Sequence, residues 1–377
     1  MKVVVAIDSF KGSLSSKEIN KACYEGIHEV DATIEIITKE LADGGEGTLD
    51  CIIDSIGGVR QSIMAKDPLF RNRETVYGII PTEKKAIVEM ANVAGLTLLK
   101  KEECNPMNTT TYGLGEIIID AINQGIRDFM IGIGGSVTSE AGIGMLMALG
   151  YQFLDEYGQM IVPIAKNLIN IYDIDDTKVD QRLKESRFQI VCDVKNPLFG
   201  LQGAAYVYAP QKGANKEEVE LIDQGLHHFS TVVSKKYGIF LEDEKGAGAA
   251  GGLGYAFLSF LNSELVSGIT KVMELINLEE EIKNADIVIT GEGKLDAQTL
   301  QGKLPVGVAH LAKKYAKKVI AIAGSIEGDI EEFYQQGIDA CFCIHQKIVP
   351  LAIAMDKQIS YQHAKDTIKQ IFRLLLL

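Results

Sequence analysis

Six short segments of the sequence carry acidic, hydroxyl or basic residues, five of them together with glycine, and most follow an apolar run. These segments are residues 8–12, 43–47, 132–136, 193–196, 291–296 and 324–325. Glycine allows backbone N–H groups to approach phosphate oxygens closely, and carboxylate oxygens are ligands that Mg²⁺ prefers. One such segment would indicate only a turn. Six of similar chemistry favour a site, and phosphoryl transfer is the chemistry that combines metal, cation and positioning.

Charged side chains within these segments are the candidates for ligand contact. The carboxylates suited to Mg²⁺ belong to Asp43, Glu46, Asp193, Glu292 and Asp296. Four lysines, each beside a glycine or within such a loop, are candidates as well: Lys11, Lys212, Lys294 and Lys303. They could neutralise phosphate groups, and for each one alone a solvated surface position fits the sequence equally well. The candidate set is completed by Asp8, Ser9, Gly134, Gly135, Ser136 and Asn196.

The glycine-rich stretch at residues 246–254 matches a dinucleotide-binding fingerprint as a string only. In dinucleotide-binding proteins this fingerprint directly follows a strand, whereas here it follows an acidic loop. We therefore reject an NAD site at these residues. It could be a phosphate-binding loop that uses Gly248, Gly251 and Gly252, or a hinge between domains. The sequence contains no P-loop, no protein-kinase motifs, no zinc-ligand spacing and no serine-hydrolase elbow.

The segments that must position these residues alternate between strand and helix patterns. Apolar runs typical of strands buried on both faces occur at residues 3–7, 34–37, 286–290, 319–323 and 340–344. Helical spacing separates them, and Ser15 with Glu18 forms a capping box before the first helix. Because ligands bind at the carboxyl ends of strands in open α/β sheets, we expect the polar segments to meet there. The two ends of the chain fit one flavodoxin-like sheet.

The middle of the chain has a less regular pattern. It predicts a two-stranded hairpin, a helix, two further strands and a long helix at residues 74–80 with 86–90, 114–122, 129–133, 206–208 and 219–233. A chain of 377 residues is too long for one core. We therefore predict a discontinuous flavodoxin-like domain at residues 1–64 and 270–377, with a second α/β domain inserted at residues 65–269.

Composition narrows the class of protein. Lys and Arg total 38 against 51 Asp and Glu, which gives a formal charge of −13 and disfavours nucleic acid or an anionic membrane as a partner. The six cysteines have no CxxC spacing and indicate reduced thiols. No apolar run is long enough to span a membrane, and no secretory signal is visible. We expect a cytoplasmic protein that acts on a small molecule.

The motifs, in their order along the chain, resemble those of the type I bacterial glycerate kinases. The segments that carry the resemblance are residues 8–13, 42–48, 108–113, 132–136, 192–198, 211–214, 246–254, 290–299 and 302–303. The resemblance covers essentially the whole chain. It implies ATP-dependent phosphorylation of D-glycerate with Mg²⁺, by an enzyme with a cleft between its flavodoxin-like and inserted domains. It leaves open whether the 2- or the 3-hydroxyl receives the phosphate.

The resemblance also suggests roles for the candidate residues. A glycerate hydroxyl would attack the γ-phosphate of ATP, with Asp193 as the orienting base and Asp296 as the alternative. Asp43, Glu46 and Glu292 would bind Mg²⁺, directly or through water. The four loop lysines, with Lys294 among the catalytic residues, would neutralise phosphates and the substrate carboxylate. Each of these groups could instead cap a helix or form a structural ion pair.

The chain departs from the usual family pattern at two places. Ile7 replaces a proline, and Ser139-Glu140-Ala141 replaces Asn-Asp-Gly, which keeps a carboxylate but moves it by one methylene. The second departure is the basis of one alternative, a weakened paralogue that senses glycerate or ATP. A kinase for another small hydroxy acid is the other alternative. The apolar residues 374–377 are either a packed terminus or a contact surface, so a homodimer is possible.

Overall fold

The computed structural model describes residues 1–42, 47–347 and 349–377. Its strands are β1 (Lys2–Val5), β2 (Glu35–Thr38), β3 (Val59–Lys66), β4 (Asn72–Ile80), β5 (Lys85–Glu89), β6 (Asp128–Gly132), β7 (Gln152–Leu154), β8 (Asp173–Asp175), β9 (Arg187–Val191), β10 (Ser263–Val266), β11 (Ile287–Leu295), β12 (Lys318–Ile326) and β13 (Ala340–Cys343). Its helices are α1 (Ser16–Val30), α2 (Thr48–Ile56), α3 (Ala91–Ala94), α4 (Tyr112–Asn123), α5 (Ile143–Ala148), α6 (Ala204–Tyr208), α7 (Lys216–Tyr237), α8 (Ala249–Phe260), α9 (Gly268–Leu275), α10 (Leu278–Lys283), α11 (Leu304–Lys313), α12 (Ile330–Gln335), α13 (Leu351–Ala354) and α14 (Lys357–Leu375).

The chain divides into two compact units. The first consists of Met1–Asp43 with Ile269–Leu377, and the second of Gly44–Gly268. The first junction therefore falls earlier than the boundary after residue 64 that we predicted. The reason is that α2 and β3 belong to the second unit, where β3 pairs along its whole length with β4. The interpretation of the two units as independently folding domains remains a prediction.

The first unit is built on a five-stranded sheet in the order β13-β12-β11-β1-β2. All neighbouring strands are parallel. Counted along the chain within this unit, the order is 2-1-3-4-5, which is that of flavodoxin-like sheets. Val3, Val4 and Val5 are fully buried, as expected for a strand covered on both faces. The predicted α/β class and the flavodoxin-like sheet are confirmed.

Helix α1 illustrates how local sequence specifies the cover of this sheet. The Ser15 hydroxyl accepts a hydrogen bond from the Glu18 amide, and the Glu18 carboxylate accepts one from the Ser15 amide, so the predicted capping box is formed. Ile19, Cys23 and Ile27 follow at helical spacing and are fully buried. The cap fixes where the helix begins, and this apolar stripe fixes which side it buries.

The second unit contains a six-stranded sheet in the order β10-β9-β6-β5-β4-β3. Strands β10, β9, β6 and β5 are parallel to one another, whereas β4 is antiparallel to both β5 and β3. The predicted hairpin is confirmed as the antiparallel pair β4–β5. The parallel strands β6 and β9 place the loops that follow them at the same edge of the sheet.

The strand predicted at residues 206–208 is wrong, because these residues lie in helix α6. Two tyrosines separated by one residue match the alternation of side chains along a strand. Three residues are too few to distinguish the two-residue repeat of a strand from the 3.6-residue repeat of a helix. In the structure Tyr206 is exposed, while the Tyr208 hydroxyl donates a hydrogen bond of 2.6 Å to Oδ1 of Asn196. The helix therefore supports a loop of the candidate site.

The apolar residues 374–377 lie at the end of α14 and beyond it. Leu374 is 67% exposed and Leu377 is completely exposed, so the structure does not support a packed terminus for these side chains. Among the helices of the described residues, none has the length and apolar character required to cross a membrane.

Candidate functional site

A pocket of about 410 Å³ lies within the first unit at the carboxyl ends of β1 and β11. The strand order reverses between these two strands, which is where sheets of this topology bind ligands. The predicted site residues that line the pocket are Asp8, Ser9, Lys11, Glu292, Lys294, Asp296 and Lys303. Segments far apart in the sequence thus supply acidic, hydroxyl and basic groups to one place.

Two glycines allow the strand ends to meet at this pocket. A Cβ atom on Gly293 would lie 3.3 Å from Cα of Phe10, and one on Gly324 would lie 2.7 Å from the carbonyl oxygen of Gly293. The loop after β1 and the end of β12 therefore both approach β11 closely. A side chain at residue 324 would force the tips of β11 and β12 apart.

Glu292 is the buried carboxylate of the pocket. Its side chain accepts a hydrogen bond of 2.6 Å from the Thr299 hydroxyl, and its other oxygen lies 3.7 Å from Nζ of Lys303. Burial raises the pKa of Glu292, while the hydrogen bond from Thr299 and the charge of Lys303 act in the opposite direction. A nearby cation would favour the ionised form, so this carboxylate is suited to bind a metal ion.

Asp296 is held by the turn that follows β11. Its Oδ1 accepts hydrogen bonds from the amides of Gln298 and Thr299, at 2.9 and 3.3 Å. Burial acts to raise the pKa of Asp296, but these backbone hydrogen bonds with the charges of Lys303 and Lys294 lower it below the ordinary value. A carboxylate with a lowered pKa is a weak proton acceptor. These contacts favour a capping role for Asp296 over the role of base.

Lys294 and Asp8 flank the same pocket. Nζ of Lys294 lies 2.8 Å from the Glu327 carboxylate and 3.7 Å from that of Asp296, and the pKa of Lys294 is raised chiefly by the hydrogen bond to Glu327. Asp8 is buried, its amide donates to the carbonyl oxygen of Gly291, and its Oδ1 accepts from the Ser9 amide at 2.7 Å. Lys294 therefore remains a cation, and Asp8 has a fixed orientation.

The donor set of this pocket fits Mg²⁺. Mg²⁺ in proteins usually takes one or two carboxylates and fills its other positions with water and substrate phosphates. Glu292 could serve as one such carboxylate. Across residues 1–42, 47–347 and 349–377, no three His, Cys, Asp or Glu side chains converge into a metal-binding group. The other two predicted ligands, Asp43 and Glu46, lie outside the described residues.

The remaining predicted residues lie in the second unit. Gly134 and Gly135 are exposed after β6, and Asp193 is exposed after the neighbouring strand β9. Oδ1 of Asp193 accepts a hydrogen bond of 3.4 Å from the Gly268 amide. Nδ2 of Asn196 donates to the carbonyl oxygen of Gln202, so this side chain, which also accepts from Tyr208, holds its own loop.

Lys212 was predicted to contact phosphate, and the structure places it inside the second unit with only 2% of its surface exposed. Its ammonium group donates to the Ser136 hydroxyl at 2.8 Å and to the carbonyl oxygen of Thr138 at 2.6 Å. Burial lowers the pKa of Lys212 to about 7, and the charge of Glu140 acts in the opposite direction. In this structure the lysine fastens the loop after β6 and does not face solvent.

Glu140 is the buried partner that the sequence did not assign to Lys212. It is 1% exposed, and its Oε2 accepts a hydrogen bond of 2.7 Å from the Gly144 amide at the start of α5. Burial raises the pKa of Glu140 to about 7, against several hydrogen bonds that lower it. The next residue, Ala141, has a φ of 53°. This left-handed backbone explains why glycine is typical of the family pattern at that position.

Gly248, Gly251 and Gly252 are buried, and their packing explains why they are glycines. A Cβ atom would lie 2.2 Å from the Pro197 carbonyl oxygen at Gly248 and 2.2 Å from the Thr138 carbonyl oxygen at Gly251. The start of α8 thus lies against the two loops that follow β6 and β9. Phosphate binding by these three glycines stays a prediction, and we do not include it in the proposed site.

Sequence reasoning missed the apolar part of the first pocket and its histidine. Phe10, Leu304, Leu351, Ala354 and Met355 line it, and so does His345. Helix α13 has only four residues, too few for a helical period to be recognised. Phe10 lies within the polar segment at residues 8–12. A phenylalanine is as common in a hydrophobic core as in the wall of a pocket, so its residue type alone did not identify it as part of the site.

Fold and site together define an α/β enzyme. Its pocket is suited to bind phosphate and lies where the strand order of the flavodoxin-like sheet reverses. A sequence model of the glycerate kinase family matches residues 3–376, and the chain belongs to that family. It is 41% identical to the glycerate kinase of Halalkalibacterium halodurans, over 94% of this chain and 93% of the relative. It is 42% identical to the glycerate 2-kinase of Escherichia coli, over 91% and 90% respectively. As a member of this family, the chain is a kinase.

A solved structure agrees with this assignment. The crystal structure of a protein described as glycerate kinase 2 from Salmonella typhimurium LT2 superposes with a TM-score of 0.89 at 36% identity. The match covers 100% of this chain and 98% of that one. The similarity therefore includes both units.

Proposed function

We propose that this kinase transfers the γ-phosphate of ATP to the 2-hydroxyl of D-glycerate, with Mg²⁺ as cofactor. The observation that carries the proposal is the pocket at the ends of β1 and β11, where three lysines and a buried glutamate converge. Transfer to glycerate is supported by the names of the relatives, and transfer to the 2-hydroxyl by the name of the Escherichia coli relative.

The first unit supplies the ammonium and carboxylate groups suited to bind a nucleoside triphosphate. Lys11, Lys294 and Lys303 neutralise phosphate charge, which otherwise opposes the approach of a nucleophile. Glu292 binds Mg²⁺, while Asp43 and Glu46, which the sequence predicts as further ligands directly or through water, lie outside the described residues. When bound, Mg²⁺ supplies charge neutralisation at the phosphate oxygens.

The second unit supplies the proposed base. Asp193 is exposed at the end of β9 and can receive a proton from a substrate hydroxyl, whereas the lowered pKa of Asp296 makes it the weaker candidate. Gly134 and Gly135 are exposed at the end of β6, and backbone amides in such a loop are suited to a carboxylate or phosphate. We assign Lys212 and Asn196 to positioning these loops.

The test is an ADP-release assay with purified protein, Mg·ATP and a panel of small hydroxy acids. We expect turnover with D-glycerate, and phosphorus NMR of the product should show a 2-phosphate. A 3-phosphate would correct the regiochemistry alone. Preferred turnover of another hydroxy acid would contradict glycerate as substrate, and saturable binding without turnover would support the sensor alternative.

The base is tested in the same assay. Asp193→Asn keeps the shape of the side chain but cannot take up the proton, so kcat should fall on the order of 10²-fold. Asp243→Asn, an exposed aspartate of the same unit, is the matched control and should turn over as the wild type does. Near-full activity of Asp193→Asn would remove this residue from the mechanism.

A further inference from the structure

The pocket of the first unit has an apolar wall that neither phosphate nor glycerate can use. Helix α13 supplies Leu351 and Ala354, and Met355 follows it. Leu351 is 76% exposed and Met355 is 38% exposed. Large apolar side chains that line a pocket and remain exposed to water indicate a ligand with an apolar surface. Glycerate carries an oxygen on every carbon and offers no such surface.

The α13 wall and the charged side chains of the pocket come from different segments, while Phe10 and Leu304 add apolar surface beside Lys11 and Lys303. Acidic and basic side chains come from the loops after β1 and β11, while the wall lies beyond the ends of β12 and β13. A second cavity of about 550 Å³ continues along β12 and β13 and shares Gly324, Ser325, His345, Leu351 and Ala354 with the first. The combined space therefore extends from the acidic and basic side chains near β1 and β11 to α13, and Lys347 also lines the second cavity.

We propose that this wall is the base subsite of the nucleotide, so that the adenine ring packs on α13 while the phosphates lie at the ends of β1 and β11. A nucleoside triphosphate has the matching division, because its base has apolar faces and its other end is anionic. The Ser325 hydroxyl and the His345 imidazole line both cavities and can bond to polar atoms of the base edge. The inference rests on the proposed use of ATP and adds where the base binds.

The test compares two alanines of the same four-residue helix. Ala354 lines both cavities, whereas Ala352 is exposed and lines neither. Ala354→Phe would fill the subsite, and Ala352→Phe is the matched control with the same added bulk. Calorimetric titration of each variant and of the wild type with ATP, adenosine and inorganic tripolyphosphate separates the base from the phosphates.

The expected result is a loss of at least about tenfold in ATP affinity for Ala354→Phe, equal to about 1.4 kcal/mol. Adenosine binding should weaken in parallel, and tripolyphosphate affinity should stay at the wild-type value. Ala352→Phe should bind all three as the wild type does. Wild-type ATP affinity in Ala354→Phe would overturn the proposal, and so would tripolyphosphate affinity that falls with that of ATP.

Failure of this inference and failure of the proposed function give different results. If ATP affinity is unchanged in Ala354→Phe while D-glycerate is turned over, the base subsite is wrong and the kinase activity stands. If Ala354→Phe alone loses ATP affinity while the wild type turns over a different hydroxy acid, the base subsite stands and the substrate is wrong. Loss of D-glycerate affinity alone in Ala354→Phe would assign the wall to the acceptor and overturn the proposal.

Discussion

Glu292 combines burial with a lysine and a hydroxyl that contact its two oxygens. It lies near the end of β11, 8% exposed, where Thr299 and Lys303 reach it from the segment that follows. Burial alone would favour the protonated acid, and the two contacts oppose this. The protonation state of Glu292 is therefore sensitive to any further cation, which is the property required of a carboxylate that binds Mg²⁺ with a substrate.

Glu292→Gln tests this role. Glutamine keeps the size of the side chain and can still accept from Thr299, but it carries no charge. We expect kcat/KM to fall on the order of 10²-fold, a loss of nearly 3 kcal/mol in transition-state stabilisation, and half-maximal activity to require more Mg²⁺. The measurement is the ADP-release rate across a Mg²⁺ titration. Glu331→Gln, exposed in α12, is the control, and a Mg²⁺ dependence equal to that of the wild type would refute the assignment.

Lys212 and Glu140 make a second prediction at the scale of residues. Lys212→Met removes the hydrogen bonds of the buried ammonium group to Ser136 and Thr138, and the charge that interacts with Glu140, so it should reduce the free energy of unfolding by about 2–3 kcal/mol. Lys212→Met combined with Glu140→Gln should lose at least about 1 kcal/mol less than the sum of the two single losses. Urea denaturation measures all four proteins of the cycle.

The half-exposed pair Lys313 and Asp339, at 2.7 Å, is the control for this cycle. Because solvent screens it, its coupling should stay below about 1 kcal/mol. Strictly additive losses at Lys212 and Glu140 would show that these two side chains do not stabilise each other. In that case the loop after β6 would depend on the hydrogen bonds of Lys212 alone.

The lysines show how far sequence reasoning extends for single residues. Lys11, Lys294 and Lys303 were selected because each lies within or beside a glycine-containing loop, and all three line the pocket. Lys212 satisfied the same criterion but is buried, since its contacts with Ser136 and Thr138 join segments far apart in the sequence. Local spacing identifies a chemical type, and only the fold decides whether solvent reaches it.

At the scale of elements, the polar loops were predictable because they follow strands. Each apolar run marks a buried parallel strand, and the carboxyl ends of parallel strands share one edge. The sequence could not predict α13, because four residues contain barely one helical turn. It also could not predict that α8 begins with left-handed residues at 250–252, which its glycines permit but do not require.

Gly251 is the place where α8 and the loop after β6 depend on each other. Its φ is 70°, and a Cβ would lie 2.2 Å from the Thr138 carbonyl oxygen, which Lys212 also binds. Gly251→Ala should therefore reduce the free energy of unfolding by more than about 3 kcal/mol, through backbone strain and displacement of the loop. Thermal and urea unfolding measure the loss.

Gly158→Ala separates the two causes. Its φ is 76°, but no atom lies within 4 Å of the added Cβ, so this substitution should cost only about 1–2 kcal/mol. If Gly251→Ala reduced the free energy of unfolding no more than Gly158→Ala does, the loop that contains Thr138 would be able to move away from the added Cβ at little energetic cost. The packing explanation for Gly251 would then be wrong.

For the whole molecule, composition excluded partners without locating the site. A net charge of −13 disfavours polyanions, yet the proposed ligands are small anions. The pocket is lined by three lysines against three carboxylates, so its formal charge is close to zero although the whole chain is acidic, and an overall count cannot show this. Similarly, the chain length predicted more than one core and the terminal βαβ patterns predicted a discontinuous unit. The predicted first junction differs from the division into compact units because α2 and β3 carry no signal of which sheet they join.

The division into two units leads to the last prediction. Each unit has its own hydrophobic core and sheet, and the pocket that we propose for the nucleotide is lined by residues of the first unit. If the units unfold separately, Mg·ATP should raise only the transition of the first unit. Ligand at 100 times its Kd stabilises a fold by about 2.7 kcal/mol, which corresponds to a shift of roughly 5–11 °C for a unit of this size. Scanning calorimetry with the non-hydrolysable analogue of ATP measures the shift, and Ala354→Phe should reduce it at the same ligand concentration. A single transition that moves as a whole would contradict independent domains, because the cores would then unfold together.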